Sequence, residues 1–80
     1  VNAIQPGVVE GARIDAVIAA RAKLYGKSES EVEKGLLEHV SLRRMVTGQD
    51  IAETTMFLMS DAAKNISGQT IAVDGNVETL

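Results

Sequence analysis

The sequence predicts an α/β fold in the order strand, three helices, strand. Two short alternating segments, Val1 to Gln5 and Gln69 to Asp74, stand near the ends of the chain, and helix-period apolar stripes fill the stretch between them. Two strands separated by helices pair most naturally in parallel, through a right-handed crossover. Two strands alone make a poor sheet, so the fold reads as incomplete on its own, with apolar faces that meet surfaces outside this sequence.

The first strand places Val1, Ala3 and Gln5 on one face and Asn2 and Ile4 on the other; Pro6-Gly7 ends it, and Val8-Val9 extend it briefly past the kink. From Ala12 to Leu24 a helix carries Ile14, Val17 and Ile18 on one face, with Tyr25 further along it, and Gly26 stops it. Arg21 lies inside that stripe, where its stem packs and its charge reaches outward. The second helix opens at Ser28-Glu29-Ser30-Glu31, as a capping box of Ser28 with Glu31 or of Ser30 with Glu33. Its apolar face is Val32, Leu36, Leu37 and Val40, interrupted by Gly35 at a cost of about 1 kcal/mol relative to Ala.

Ser41 to Val46 has no period and reads as a loop. Thr47 then caps a third helix, with Asp50 three residues on. Ile51, Thr55 and Leu58 share one face of it, Ala52, Met56 and Met59 sit beside them, and Phe57 points elsewhere. A stripe this wide implies burial on more than one side, as a subunit interface provides. After Gly68 comes the last strand, Ile71 and Val73 opposed to Thr70 and Ala72. Gly75-Asn76 is a turn and Val77 to Leu80 a tail.

Composition excludes several functions. The chain has 80 residues, one domain at most, 45% hydrophobic, with a formal charge of −3. That charge disfavours nucleic acid and anionic membrane as partners, and two aromatic residues, Tyr25 and Phe57, are too few for base stacking. No cysteine means no disulfide scaffold, thiolate zinc site or thiol nucleophile. No apolar run approaches the roughly 20 residues of a membrane span, and no signal peptide is read at Val1-Asn2-Ala3-Ile4.

No catalytic constellation or metal site is read. His39 is the only imidazole and lacks a positioned third group, so it reads as a surface or lid residue. Glu29, Glu31 and Glu33 read as a solvated capping face, and Arg43-Arg44 as a structural salt bridge rather than a phosphate grip. Pro6-Gly7 is the better signal. It stands at the carboxyl end of a strand, where open α/β sheets bind ligands, and the backbone of Val8 or Val9 can pair with an amide there.

Four ordered segments then resemble the C-terminal third of a short-chain dehydrogenase/reductase. They are Val1-Asn2-Ala3-Ile4-Gln5-Pro6-Gly7; Arg44 before Asp50-Ile51-Ala52; Phe57-Leu58-Met59-Ser60-Asp61; and Ile66-Ser67-Gly68-Gln69-Thr70-Ile71-Ala72-Val73-Asp74-Gly75. The resemblance implies the C-terminal part of a Rossmann-like doubly wound parallel sheet. Residues 1–7 would be its sixth strand and turn, 8–47 a substrate-binding lobe, and 48–80 the last helix, last strand and tail. It implies NAD or NADP as cofactor, with Pro6, Gly7 and Val9 against the nicotinamide, and a small-molecule alcohol or ketone as substrate. Ile14, Val17, Ile18 and Tyr25 would be pocket walls or core. A cytoplasmic homodimer or homotetramer is expected, through the Ile51 to Met59 helix and the last strand.

The chain departs from the family pattern where Gly11 stands in place of a Thr, Gly48 in place of a Pro and Asn76 in place of a Gly. The family's Gly-rich phosphate loop and its Tyr-x-x-x-Lys pair with Ser are not in these residues, so the segment alone is expected to be inactive. The competing function is a non-enzymatic helical module that self-associates through Ile51 to Met59.

Overall fold

The structure, a computed structural model, describes residues 1–77; of the tail read at Val77 to Leu80, all but Val77 lies outside the described residues. Strand β1 (Ala3–Pro6) pairs in parallel with β2 (Thr70–Val73), Ala3 opposite Thr70 and Pro6 opposite Val73. Both strands are shorter than the alternation predicts, and at the amino end side chains join the main-chain bonds. Asn2 Nδ2 donates to the Ile66 carbonyl at 3.1 Å, and the Gln69 N–H donates to Asn2 Oδ1 at 3.0 Å.

The N–H groups of Ala3 and Gly7 donate to the carbonyls of Gln69 and Val73. Alternation therefore turns Pro6, which has no N–H, toward the opposite edge of β1, where the ladder loses nothing. Gly7 is glycine for a steric reason: a Cβ there would lie 2.7 Å from the Cβ and 2.8 Å from the Cα of Asp74.

Helix α1 (Ala12–Tyr25) ends at Gly26, whose left-handed φ of 65° lets its N–H reach the Ala22 carbonyl. Helix α2 (Glu29–Leu37) packs against it. Ser28, not Ser30, is the cap: its Oγ accepts the Glu31 N–H at 3.1 Å and donates to Glu31 Oε1 at 3.2 Å. Ile18 and Ala22 are buried in this hairpin. Val40, predicted on the α2 face, lies past the helix end, where it forms an antiparallel bridge with Val77 and is 2% exposed.

The segment 41–46 is tethered rather than loose. The N–H groups of Ser41 and Leu42 donate to the carbonyls of Asn76 and Gly75, at 2.9 and 3.1 Å. Asn76 makes this turn possible: at φ 65° it takes a glycine-like conformation, its N–H on Asp74 Oδ1 and its Nδ2 on Ser41 Oγ, both at 2.8 Å. The expected salt bridge of Arg43 is replaced by something else. Arg43 adopts φ 55°, at a backbone cost of about 1–2 kcal/mol, and its guanidinium donates to the carbonyls of Leu37, Glu38 and Val40.

Helix α3 (Gly48–Met59) starts with the predicted Thr47 cap, which closes into a capping box, Thr47 Oγ1 accepting the Asp50 N–H at 3.0 Å and Asp50 Oδ2 accepting the Thr47 N–H at 2.8 Å. It packs on β1 and on a 3₁₀ turn, Asp61–Ala63. Ile51, Thr54 and Leu58 form its half-buried side, so Thr54 stands where Thr55 was expected. The outer side is bare, with Met56 71% and Met59 80% exposed. Among the described residues the buried apolar side chains are only Ile18, Ala22, Val40, Val46 and Ala63. The radius of gyration is 15.3 Å, against about 11–12 Å for a compact domain of this length. An opened shape of this kind leaves helix and sheet faces without partners.

Two outcomes follow. Gly7→Ala lowers the unfolding free energy by about 1–3 kcal/mol through forced displacement of Asp74. Gly35→Ala, whose Cβ meets nothing within 4 Å, raises it by about 0.5–1 kcal/mol; urea titration of both variants checks the pair. The charged Asp50 carboxylate is favoured by the Thr47 N–H first, then by the Thr47 side chain and by Arg44, which holds its pKa below the ordinary aspartate value. A depressed folded pKa means that the cap's contribution is present above the ordinary value and is lost as pH falls through the folded one. Unfolding midpoints measured across acid pH lose this component in Asp50→Asn.

Candidate functional site

A cleft of about 550 Å³ opens at the carboxyl end of β1, lined by residues from Pro6 to Ile14 and by Val17. All three residues singled out for the cofactor, Pro6, Gly7 and Val9, line it. The four candidate walls divide. Ile14 and Val17 face this cleft, Ile18 is buried in the helical hairpin, and Tyr25 is 64% exposed in a separate groove with Arg21, Lys27 and His39. Glu10 and Arg13 are the charged residues of the cleft; the rest of its lining is backbone and apolar side chain.

The hydrogen bonding beside the cleft explains what it can hold. Val9 and Val46 form a parallel bridge in which Val46 makes both bonds, its N–H donating to the Val8 carbonyl and its C=O accepting from the Glu10 N–H, each at 2.7 Å. In a parallel bridge of this polarity the opposite residue turns its own N–H and C=O the other way. Val9 thus has a main-chain donor and acceptor with no partner among the described residues. Such a pair, next to apolar walls, matches the two polar ends of a primary carboxamide on a flat ring.

Two features were not read from the sequence. Val46, 5% exposed, is the residue that frees the polar groups of Val9; its signal was the apolar pair Met45-Val46 between Arg44 and Thr47. Asp74, which explains Gly7, could be found only from strand register. Glu29, Glu31 and Glu33 are exposed, as a solvated face requires, and Glu29 and Glu33 border a second cleft of about 820 Å³ together with Glu10 and Asp15. Among the described residues no group of three or more His, Cys, Asp or Glu is placed to hold a metal ion, and no helix is long and apolar enough to cross a membrane.

The parallel seam, the crossover through helices and the cleft beyond the strand end define an incomplete portion of a Rossmann-like doubly wound α/β fold. Residues 1–77 match the family model described as enoyl-(acyl carrier protein) reductase, and the chain belongs to this short-chain dehydrogenase/reductase family. It is 36% identical over 75 residues to 7alpha-hydroxysteroid dehydrogenase of Escherichia coli (strain K12), covering 94% of this chain and 26% of that protein. The crystal structure of a short chain dehydrogenase family protein from Francisella tularensis superposes with a TM-score of 0.84 at 35% identity, over 94% of this chain and 31% of that one. L-sorbose reductase from Gluconobacter frateurii, solved with NADPH and L-sorbose, gives a TM-score of 0.83 at 25% identity, over 99% of this chain and 31% of that one. The chain thus spans between a quarter and a third of the length of these relatives.

Gly11, on the rim of the cleft, has φ 151° and precedes α1 as a cap without a side-chain bond. A side chain at that backbone angle is strained even though the space around it is open. Gly11→Thr, which restores the residue type of the family pattern, therefore destabilises the fold by about 1–3 kcal/mol, read as a shift in the urea midpoint.

Proposed function

We propose that this chain is the C-terminal third of a cytoplasmic NAD(P)-dependent oxidoreductase that moves hydride between the nicotinamide and an alcohol or ketone. The observation that carries the reading is the unpartnered N–H and C=O of Val9 beside the apolar cleft at the end of β1. Val9 would hold the carboxamide through both groups, while Pro6 and Gly7 back the ring and fix its orientation. What the cofactor supplies when bound is hydride at the ring's reactive carbon; the protein's part is position and exclusion of water. The NADPH bound in the L-sorbose reductase structure supports the choice of cofactor class.

In this reading residues 1–7 are the sixth strand and its turn, residues 8–47 the lobe that closes over substrate, and residues 48–80 the last helix, strand and tail. Phosphate grip and proton relay come from segments preceding Val1. A small alcohol or ketone fits the substrate class, since one relative is named for a hydroxysteroid and another for L-sorbose. The bare side of α3 would be covered by a second copy in a homodimer or homotetramer, with β2 at the same interface; Met56, Phe57 and Met59 are its exposed apolar residues.

The test uses the full-length protein with labelled backbone amides. Titration with NADPH or NADH shifts the Val9 amide resonance and leaves that of Val46 in place, and the bound cofactor is oxidised when a ketone is added. Saturating cofactor that moves neither Val9 nor its neighbours in the cleft contradicts the reading.

A further inference from the structure

The lobe formed by α1 and α2 joins the sheet through two backbone joints. One is the bridge of Val46 to Val8 and Glu10; the other is the pairing of Ser41 and Leu42 with Asn76 and Gly75. Arg43 lies between these joints, so its main chain moves with the rim of the sheet. Its side chain does not follow the rim. It folds back over the end of α2, where Nη1 donates to the carbonyls of Leu37, Glu38 and Val40, the last at 2.8 Å.

These carbonyls belong to the end of α2 and the residues just after it; those of Leu37 and Val40 also accept the N–H groups of Val40 and Arg43, each at 3.0 Å, so the guanidinium adds to a turn the main chain already closes. A guanidinium is suited to the place: it is always charged, and its long stem brings Nη1 to the carbonyls. The local backbone gives a second reason to regard Arg43 as more than a surface cation. It holds a left-handed φ of 55° without being glycine, so glycine at this position would relieve strain. The chain instead carries a cation whose Nη1 sits within hydrogen-bond distance of three carbonyls.

We propose that Arg43 is a positioning residue, a clasp that sets the angle of α2 to the sheet rim and, through the packing of α2 on α1, the place of the α1 wall, Ile14 and Val17, of the cleft at Pro6, Gly7 and Val9. The inference rests on the functional reading of residues 8–47 as the substrate lobe. Arg43 touches neither substrate nor cofactor; it acts through the joint between α2 and the sheet rim. Its loss loosens the lobe, so it weakens substrate capture and leaves the nicotinamide contacts intact.

The experiment compares wild type, Arg43→Gly and Arg43→Lys in the full-length protein. Arg43→Gly accepts the backbone angle of φ 55°, which Arg43→Ala strains, and removes the clasp, so it remains folded. Amide exchange at Glu38 and Val40 is expected to speed up about tenfold or more in Arg43→Gly, while exchange along 51–56 stays as in wild type. KM for the ketone is expected to rise about fivefold or more, with kcat at saturation and KM for the cofactor within twofold of wild type. Arg43→Lys retains the charge on a shorter side chain, and falls between the two. A lowered melting temperature with unchanged KM would reduce Arg43 to a helix cap and overturn the proposal, as would unchanged exchange at Glu38 and Val40. A wild-type protein that binds no nicotinamide cofactor overturns the functional reading instead, and the exchange data then stand as the separate test of the clasp.

Discussion

The parallel seam between the two ends of the chain is the constraint on which the other features depend. It begins at Ala3 and Thr70, passes Gly7, and is continued past the kink by Val9 and Val46. Parallel pairing brings both strands to the same rim at their carboxyl ends. Close approach of the backbones there leaves no room for a Cβ between Gly7 and Asp74. Beyond that point Val46 takes over from β2 as the neighbour of the chain. Because Val46 supplies both hydrogen bonds, the polar groups of Val9 are left open on the other side. The chemistry available to the cleft is therefore a by-product of which residue makes the bonds in a single bridge.

Two units hang from this seam. Helix α3 packs on β1, and the α1–α2 hairpin stands off as an arm tied to the rim by backbone bonds. Such an arrangement buries little apolar surface within the described residues, and the radius of gyration of 15.3 Å reflects it. Exposed Met56 and Met59 on one side, and the open edge of β1 on the other, are what a sheet looks like when its neighbours are not among these residues. The family relationship gives this a size: relatives are three to four times as long as the stretch that matches.

The element order was legible because each helix announces itself locally. Gly26, Ser28 with Glu31, and Thr47 with Asp50 act within a few residues of themselves, so reading along the chain finds them. The position of the cleft was legible for a similar reason, since Pro6-Gly7 at a strand end is a local signal. What could not be read depends on residues far apart in sequence. Val40 belongs to a bridge with Val77 rather than to α2, Gly7 is explained by Asp74, and Val9 is freed by Val46. Arg43 escaped for another reason. Periodicity and charge describe where a side chain starts, and its target here is the carbonyl groups of a helix end, which carry no residue type to recognise.

The most direct measurement is a crystal structure of the full-length protein grown with NADPH. The account predicts the nicotinamide ring in the cleft at the end of β1, its carboxamide oxygen accepting from the Val9 N–H and its amide donating to the Val9 carbonyl. A cofactor whose carboxamide meets other groups while Val9 stays unpartnered would contradict it.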